Sequence, residues 1–304
     1  MKSQMKLRIK ALLCVCVLLV MAVLPLASCG KKAVVETDKN GLEFTFNAKE
    51  DYYTLSGIGS FKGEKLSVPS EFNGYPVKAI GDNAFYGNKT LTSVEIPDSV
   101  TSIGHNAFYY CSNLTDLSCP AELSFIGTNA FYNTGYYIDE ANRENGVLYI
   151  GKQVVDVDNS IEGHYDIKEG TVAIASGAFG GCTKLTSVNI PDSVTYIGTY
   201  AFNGCIALES LTLPEKLEKI DAYAFNGCKA IRELTIPESV KFIGRQAFGG
   251  CTVLNRVTFE VTKGWNRYYT GIWTSTVKAK NLSDASTAAK YLTLTFAGSD
   301  WTHK

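Results

Sequence analysis

The chain has few of the residues that catalysis and metal binding use most. Its 304 residues include only three histidines, His105, His164 and His303, each in a different sequence context. No H-E-x-x-H, G-x-S-x-G or phosphate-loop string occurs, and no C-x-x-C pair is present that would indicate zinc. The sequence therefore predicts no catalytic residue, no metal site and no cofactor, and we expect a protein that is not an enzyme.

Clusters of basic residues are missing from the body of the chain. The formal net charge is −1, and the first 28 residues contain Lys2, Lys6, Arg8 and Lys10 but no acid. The remainder is therefore mildly acidic. A surface of this kind is a poor electrostatic match for the phosphate backbone, so we predict no nucleic-acid partner.

Three weak motifs are better explained as ordinary surface. The glycines from Gly57 to Gly63 do not have the spacing of a dinucleotide-binding loop. The acidic residues between Asp156 and Glu162 lack the glycine and the spacing of a calcium loop, and we interpret them as the solvated end of a hairpin. His105 lies on a repeat corner where other units have threonine, which is typical of a surface position.

The one long apolar segment lies at the N-terminus. It runs from Ala11 to Ala27, follows basic residues and is shorter than the roughly 20 residues that a spanning helix needs. Its end, Leu-Ala-Ser-Cys, resembles the bacterial lipobox, which implies cleavage before Cys29 and a diacylglyceryl group on that thiol. We predict a signal peptide over 1–28 and a lipidated cysteine with a polar tether over 29–40. The alternatives are an ordinary secretory signal and, less favoured, a membrane-spanning anchor.

The rest of the chain is repetitive. The segments Ile96–Cys111 and Ile190–Cys205 match at eleven of sixteen positions. An Ala-Phe pair recurs every 23 residues, with one interval of 48 between the third and fourth pairs. The phenylalanines of these pairs are Phe85, Phe108, Phe131, Phe179, Phe202, Phe225 and Phe248. A fixed period of this length indicates a stacked repeat architecture.

One unit, Leu91–Asn113, shows what each repeat forms. Its first part alternates apolar and polar residues, as a half-buried strand does, and Pro97 ends that strand. Val100 to Ile103 predicts a second short strand, and Gly104 allows a sharp turn after it. A tight corner follows, with Phe108 pointing inward. No unit buries its apolar side chains alone, so the units stack around a shared core.

The pattern "IPDSV…IG…AF..C..L" resembles the leucine-rich repeats of BspA-type bacterial surface proteins. The resemblance covers about residues 66–260. It implies a right-handed parallel-β solenoid, strand-dominated with short 3₁₀ or helical corners. It also implies exposure on a bacterial surface and a role in adhesion or host contact, without naming one ligand.

Four segments complete the predicted organisation. Residues 41–65 form an N-terminal β-hairpin cap, and residues 66–260 contain the repeats. An insertion at about 137–166 forms a hairpin that replaces the first strand of one repeat and projects from the solenoid. Residues 261–304 form a C-terminal cap that includes a short helix from Ser283.

The repeat cysteines allow two interpretations. Cys111, Cys182, Cys205, Cys228 and Cys251 share one slot, and Cys119 occupies an isoleucine slot. An exported chain is able to form disulfides, but cysteines in equivalent slots project in parallel and do not reach a good dihedral angle easily. We favour a ladder of small buried side chains.

Tyrosines supply the candidate binding residues. The outward positions of the first strands are small and polar, without an aromatic anchor. The corners differ, because Tyr86, Tyr109 and Tyr132 follow the repeat phenylalanine on three successive turns, while Tyr200 and Tyr223 precede the repeat alanine. We expect stacked tyrosines to present flat amphipathic faces that suit sugars or extended peptides. The alternative is that they pack on one another and only stiffen the edge.

These features favour a lipid-anchored binding or adhesion module at the bacterial cell surface. Its predicted partners are a host or bacterial surface protein or a glycan, and the membrane through the lipid. The alternative is a structural spacer lipoprotein of the envelope with no dedicated ligand, and an enzyme is the least favoured class.

Overall fold

Each repeat folds as one turn of a solenoid in the computed structural model, which describes residues 34–303. The predicted strand-dominated solenoid is confirmed, with about nine turns and few helices. The predicted signal peptide and Cys29 lie outside the described residues. Among residues 34–303, no helix has the length and hydrophobicity needed to cross a bilayer.

Three antiparallel strands close the N-terminal end: β1 (Val35–Thr37), β2 (Glu43–Asn47) and β3 (Tyr52–Gly57). Phe44 and Leu55 are fully buried between this cap and the first turn. The cap begins earlier than expected, because β1 falls within the segment assigned to a polar tether. Glu36 helps to hold β1 in the cap, because its carboxylate accepts hydrogen bonds from Tyr53 Oη at 2.7 Å and from Asn73 Nδ2 at 2.8 Å.

The first block of repeats builds two parallel sheets. Its strands are β4 (Lys65–Ser67), β5 (Glu71–Phe72), β6 (Tyr75–Ile80), β7 (Ser93–Glu95), β8 (Ser102–Ile103), β9 (Asp116–Ser118) and β10 (Phe125–Ile126). The order β4–β7–β9 forms the first-strand sheet, and β3–β6–β8–β10 forms the second-strand sheet. The extra residues of the first unit form the turn of the β5–β6 hairpin, where Asn73 and Gly74 both have positive φ.

The corners bring the repeat phenylalanines into one stack in each block. Within the first block the ring centroids are 5.0 and 5.3 Å apart, and within the second they are 4.7, 5.1 and 5.3 Å apart. Gly104, expected to permit a sharp turn, is instead required by close packing. A Cβ at this position would lie 2.5 Å from the backbone nitrogen of Asp82, one turn away.

The insertion differs from its prediction. It contains α1 (Gly135–Ile138), a 3₁₀ turn (Glu140–Asn142), β11 (Arg143–Glu144), β12 (Val147–Ile150) and β13 (Gln153–Val157). The β12–β13 hairpin exists, but it does not project, because Val147, Leu148 and Val154 are fully buried. Its apolar residues are too numerous for a solvated arm, so the hairpin packs into the solenoid, and β13 joins the second-strand sheet beside β15 (Ala173–Ile174).

The predicted replacement of a first strand is also wrong. β14 (Glu162–Asp166) supplies that strand and pairs in parallel with β16 (Lys184–Asn189). The second block continues with β17 (Tyr196–Ile197), β18 (Ser210–Leu211), β19 (Lys219–Ile220), β20 (Glu233–Ile236), β21 (Phe242–Ile243) and β22 (Arg256–Phe259). The insertion divides the core into one cluster from Leu42 to Ile150 and another from Val147 to Trp301.

The C-terminal cap combines strands with short helices. Its elements are β23 (Trp265–Tyr269), β24 (Ile272–Thr276), α2 (Ala279–Leu282), α3 (Ala285–Lys290), a π-helical turn (Tyr291–Thr295) and β25 (Asp300–His303). Asp284 caps α3 by accepting a hydrogen bond from the Thr287 backbone N–H at 2.7 Å. β25 pairs antiparallel with β21, and Trp265 and Trp301 are buried over the last turn.

Candidate functional site

Tyr86, Tyr109 and Tyr132 form a continuous stack on the corner of three successive turns. Their ring centroids are 5.1 and 5.6 Å apart, and successive rings are inclined by 20°. We call these three residues the tyrosine edge. Tyr86 is 56% exposed and Tyr132 is 39% exposed, so the edge reaches solvent.

The stacking corrects one expectation about this edge. Rings about 5 Å apart and nearly parallel cover one another's faces, so the tyrosine edge presents ring edges and hydroxyl groups. Tyr109 is partly buried between its neighbours, and this burial together with the adjacent tyrosines raises the pKa of its phenol. The hydroxyl therefore stays protonated at neutral pH and is able both to donate and to accept hydrogen bonds.

Tyr110 was missed by the sequence analysis. Its ring lies edge-on to Tyr109, with centroids 4.5 Å apart, and it is 42% exposed. Its backbone has a φ of 59°, in a slot that other units fill with asparagine or glycine. A bulky residue with positive φ is strained, and strain of this kind is concentrated at functional sites. Lys89 stabilises the position, because its ammonium donates to the Tyr110 carbonyl at 2.6 Å.

Tyr200 and Tyr223 form a second, separate pair. Their rings are 4.8 Å apart and inclined by 14°, and both residues have a φ of 59°. Among the aromatic contacts of residues 34–303, none joins this pair to the tyrosine edge. The structure therefore does not unite the five candidate tyrosines in one site.

The insertion adds Tyr137 to the end of the tyrosine edge. Its ring centroid is 5.4 Å from that of Tyr132, with a tilt of 59°. Thr134 fixes the position of Tyr137, because its buried hydroxyl donates to the Phe131 carbonyl at 2.9 Å and accepts from the Tyr137 backbone N–H at 3.0 Å. This contact could not be predicted from the sequence, since Tyr137 lies outside the 23-residue period.

Beside Tyr137 lies a partly buried ion pair. Arg143 Nη2 donates to Asp156 Oδ2 at 2.7 Å, and only 8% of the arginine side chain is accessible. Burial, followed by its hydrogen bond with Asp156, raises the pKa of Tyr137 well above its usual range. Asp156, interpreted from sequence as a solvated hairpin end, is therefore a structural partner. No group of residues suited to a metal ion occurs within 34–303.

A cavity of about 170 Å³ lies beside this ion pair. It is lined by residues of the last turn of the first block, of the insertion and of the next turn, including Asn129, Tyr132, Tyr137, Asp156 and Ser176. A larger cleft of about 760 Å³ lies on the first-strand side between β18 and β20. Its lining combines polar and charged residues with leucines and a proline, and contains no aromatic side chain. The smaller cavity is the one that adjoins the tyrosine edge.

The histidines do not form a catalytic centre. His105 is exposed and its Nδ1 accepts a hydrogen bond from the Thr128 backbone N–H at 2.9 Å. His164 contacts Ser187 Oγ at 2.7 Å and Asp166 at 3.1 Å, an arrangement that the sequence did not reveal. Ser187 lies on β16, which pairs with strands on both sides. Its neighbouring amides are therefore committed to the sheet and do not form an oxyanion hole.

The repeat cysteines form a buried ladder of free thiols. Four of them donate through Sγ to the carbonyl of a phenylalanine 26 residues earlier, at 3.0 to 3.2 Å: Cys111, Cys205, Cys228 and Cys251. All six cysteines within residues 34–303 are free, and Cys119 is half-buried. Burial raises the pKa of the Cys205 thiol to about 12, which leaves it unreactive at neutral pH.

The fold is a leucine-rich-repeat solenoid with an exposed aromatic corner. The chain belongs to the BspA type leucine rich repeat family, whose model matches in six copies over residues 78–165 and 162–269. Membership indicates a binding or adhesion repeat module, and no enzymatic family is indicated. Comparison with curated proteins gives no match.

Several solved structures are similar to this chain. A T. pallidum leucine rich repeat protein is 28% identical, covers 72% of this chain and 90% of its own, and gives a TM-score of 0.38. A leucine rich cell surface protein from Faecalibacterium prausnitzii is 21% identical, and the match covers 77% of this chain and 97% of that protein, with a TM-score of 0.32. The pneumococcal vaccine antigen PcpA is 17% identical, and the match covers 77% of this chain and 84% of PcpA, with a TM-score of 0.39.

Proposed function

We propose that this protein is a lipid-anchored, non-catalytic binding module on the bacterial cell surface, and that its tyrosine edge contacts a protein or a glycan. The observation that supports this most is the restriction of Tyr86, Tyr109 and Tyr132 to three adjacent turns. The same slot in the second block contains glycine or asparagine, and its phenylalanines stack equally well. The core therefore does not require tyrosine at this slot.

The chemistry of the tyrosine edge suits a polar ligand. Its rings offer a row of hydroxyl groups above an apolar base, and Tyr110 and Tyr137 widen it at one end. Tyrosine gives large contact area with little loss of side-chain entropy, which is why it is common in binding surfaces. Export with a lipid on Cys29 would place this surface outside the cell and keep it at the membrane.

A structural spacer is the second candidate, and one observation favours it. The rings of the tyrosine edge cover one another, and mutual stacking stabilises a corner whether or not a ligand exists. The spacer role predicts no saturable ligand, whereas the binding role predicts one.

Arrays distinguish the two candidates. The purified full-length chain, in a detergent without a sugar headgroup, is applied to arrays of glycans and of host and bacterial surface proteins. The binding role predicts saturable binding to a chemically related set of spots. Absence of saturable binding to every glycan and protein on the arrays would leave the spacer as the better description.

A further inference from the structure

The cavity beside the tyrosine edge lies where the second-strand sheet is interrupted. β10 is the last strand in the sheet of the first block, and β13 belongs to a separate sheet, in which it joins β11 and β12 to β15. The 170 Å³ space between them is lined from both sides of this junction. A cavity of about 150 Å³ is known to accept benzene, so this one has room for a single six-membered ring.

The charge in the cavity is balanced. Asp156 lines the space and keeps 24% of its side chain accessible, while Arg143 neutralises it from the buried side. A charged ligand would therefore meet no opposite net charge. The remaining lone pairs of the carboxylate accept hydrogen bonds from neutral hydroxyl groups, and the Arg143 contact holds the carboxylate in place for them.

Other lining groups extend this polar character. The Ser176 hydroxyl lies 3.1 Å from Thr128 Oγ1 across the junction, and Asn129 contributes an amide. The aromatic part of the lining comes from Tyr132 and Tyr137, whose rings are tilted by 59° relative to one another. A ligand that suits both kinds of group has hydroxyls on its rim and apolar C–H bonds on its ring.

We propose that this cavity binds the terminal six-membered sugar ring of a neutral glycan. Asp156 accepts hydrogen bonds from the ring hydroxyls, and Tyr132 and Tyr137 contact its C–H face. This inference rests on the proposed function and deepens it by naming the ligand class and the end of the tyrosine edge where the ligand is held. In this proposal the insertion forms part of the binding site, because it supplies Tyr137, Asp156 and Arg143 together.

The test fills the cavity without disturbing the ion pair. Ser176→Leu places four carbon atoms beside the space, and the matched control is Thr199→Leu, which changes the same slot one turn further on, outside the cavity lining. The full-length chains are titrated calorimetrically with oligosaccharides ending in a neutral hexose, and with the same oligosaccharides capped by sialic acid. We expect at least tenfold weaker binding of the neutral sugars by Ser176→Leu, unchanged binding by Thr199→Leu, and no measurable binding of the capped sugars.

The outcomes separate this inference from the proposed function. Neutral-sugar binding that survives Ser176→Leu, or a preference for the sialylated sugars, overturns the cavity assignment and leaves a glycan-binding module elsewhere on the surface. Saturable binding of proteins alone also overturns the cavity while supporting the proposed function. Binding of no glycan or protein at all overturns both. Melting curves of the two leucine variants, expected to agree within about 3 °C, check that each chain is folded.

Discussion

The residue types that a position of this protein accepts depend on its place in the repeat. The phenylalanine slot is fully buried in every unit from Phe108 to Phe248, and the cysteine slot accepts a small side chain whose thiol reaches a carbonyl. The slot after the phenylalanine has no such constraint, because it holds tyrosine, asparagine and glycine in different units. A residue type restricted to one block of an unconstrained slot is therefore the best local indication of function.

Phe202 offers a test of the shared core. It stacks between Phe179 and Phe225, at 4.7 and 5.1 Å, and it has no exposed surface. Phe202→Ala removes this contact and leaves a cavity that the neighbouring turns do not fill, so we expect a loss of about 3–5 kcal/mol in the free energy of unfolding. Denaturant titration measures it, and a loss below about 1 kcal/mol would show that the turns do not share one core.

At the scale of elements, the insertion shows how far sequence reasoning reaches. The 23-residue period indicated the repeats and the interruption between Phe131 and Phe179, because apolar spacing and proline positions are local features, but it did not show that β14 is a repeat strand. It did not show whether the β12–β13 hairpin packs inward, since alternation defines an apolar face but not what covers it. The Arg143–Asp156 pair and the Tyr132–Tyr137 contact could not be predicted from the sequence either, because only the folded insertion brings these residues together.

Leu148 tests whether the hairpin is part of the core. Its side chain is fully buried in the N-terminal cluster, whereas a projecting hairpin would leave it solvated. Leu148→Ala should lower the free energy of unfolding by about 2–5 kcal/mol. Leu294→Ala is the control, because Leu294 is 77% exposed and its truncation should have little effect. Equal, small effects of the two changes in urea titrations would restore the projecting hairpin.

At the scale of the whole molecule, residues 34–303 form a capped solenoid, and the proposed function adds to it an N-terminal segment that directs the chain to a membrane. Both ends of the solenoid are closed by antiparallel strands, as a stack with an exposed core requires. Membership of the BspA type leucine rich repeat family indicates that this solenoid is a binding or adhesion module. The proposed anchor, Cys29, lies outside the described residues.

Membrane attachment gives a prediction at this scale. Cys29→Ser removes the thiol that would carry the diacylglyceryl group, so we expect the protein to leave the detergent phase or to accumulate unprocessed. Cys16→Ser, which changes a cysteine within the same apolar segment, should leave processing and partitioning unchanged. Phase separation in detergent and the intact mass of each protein provide the readout. Unaltered mass and partitioning of Cys29→Ser would refute lipidation at this residue.

The central claim is that the tyrosine edge binds a ligand, and one paired measurement tests it most directly. Tyr86, Tyr109 and Tyr132 are changed together to asparagine, which the same slot already accepts at Asn203. The control is Tyr200→Asn with Tyr223→Asn, which removes the separate stacked pair. We predict that the triple variant loses array binding with a small change in melting temperature, and that the control keeps binding. Unchanged binding by the triple variant, together with a lower melting temperature, would contradict this claim and make the tyrosines purely structural.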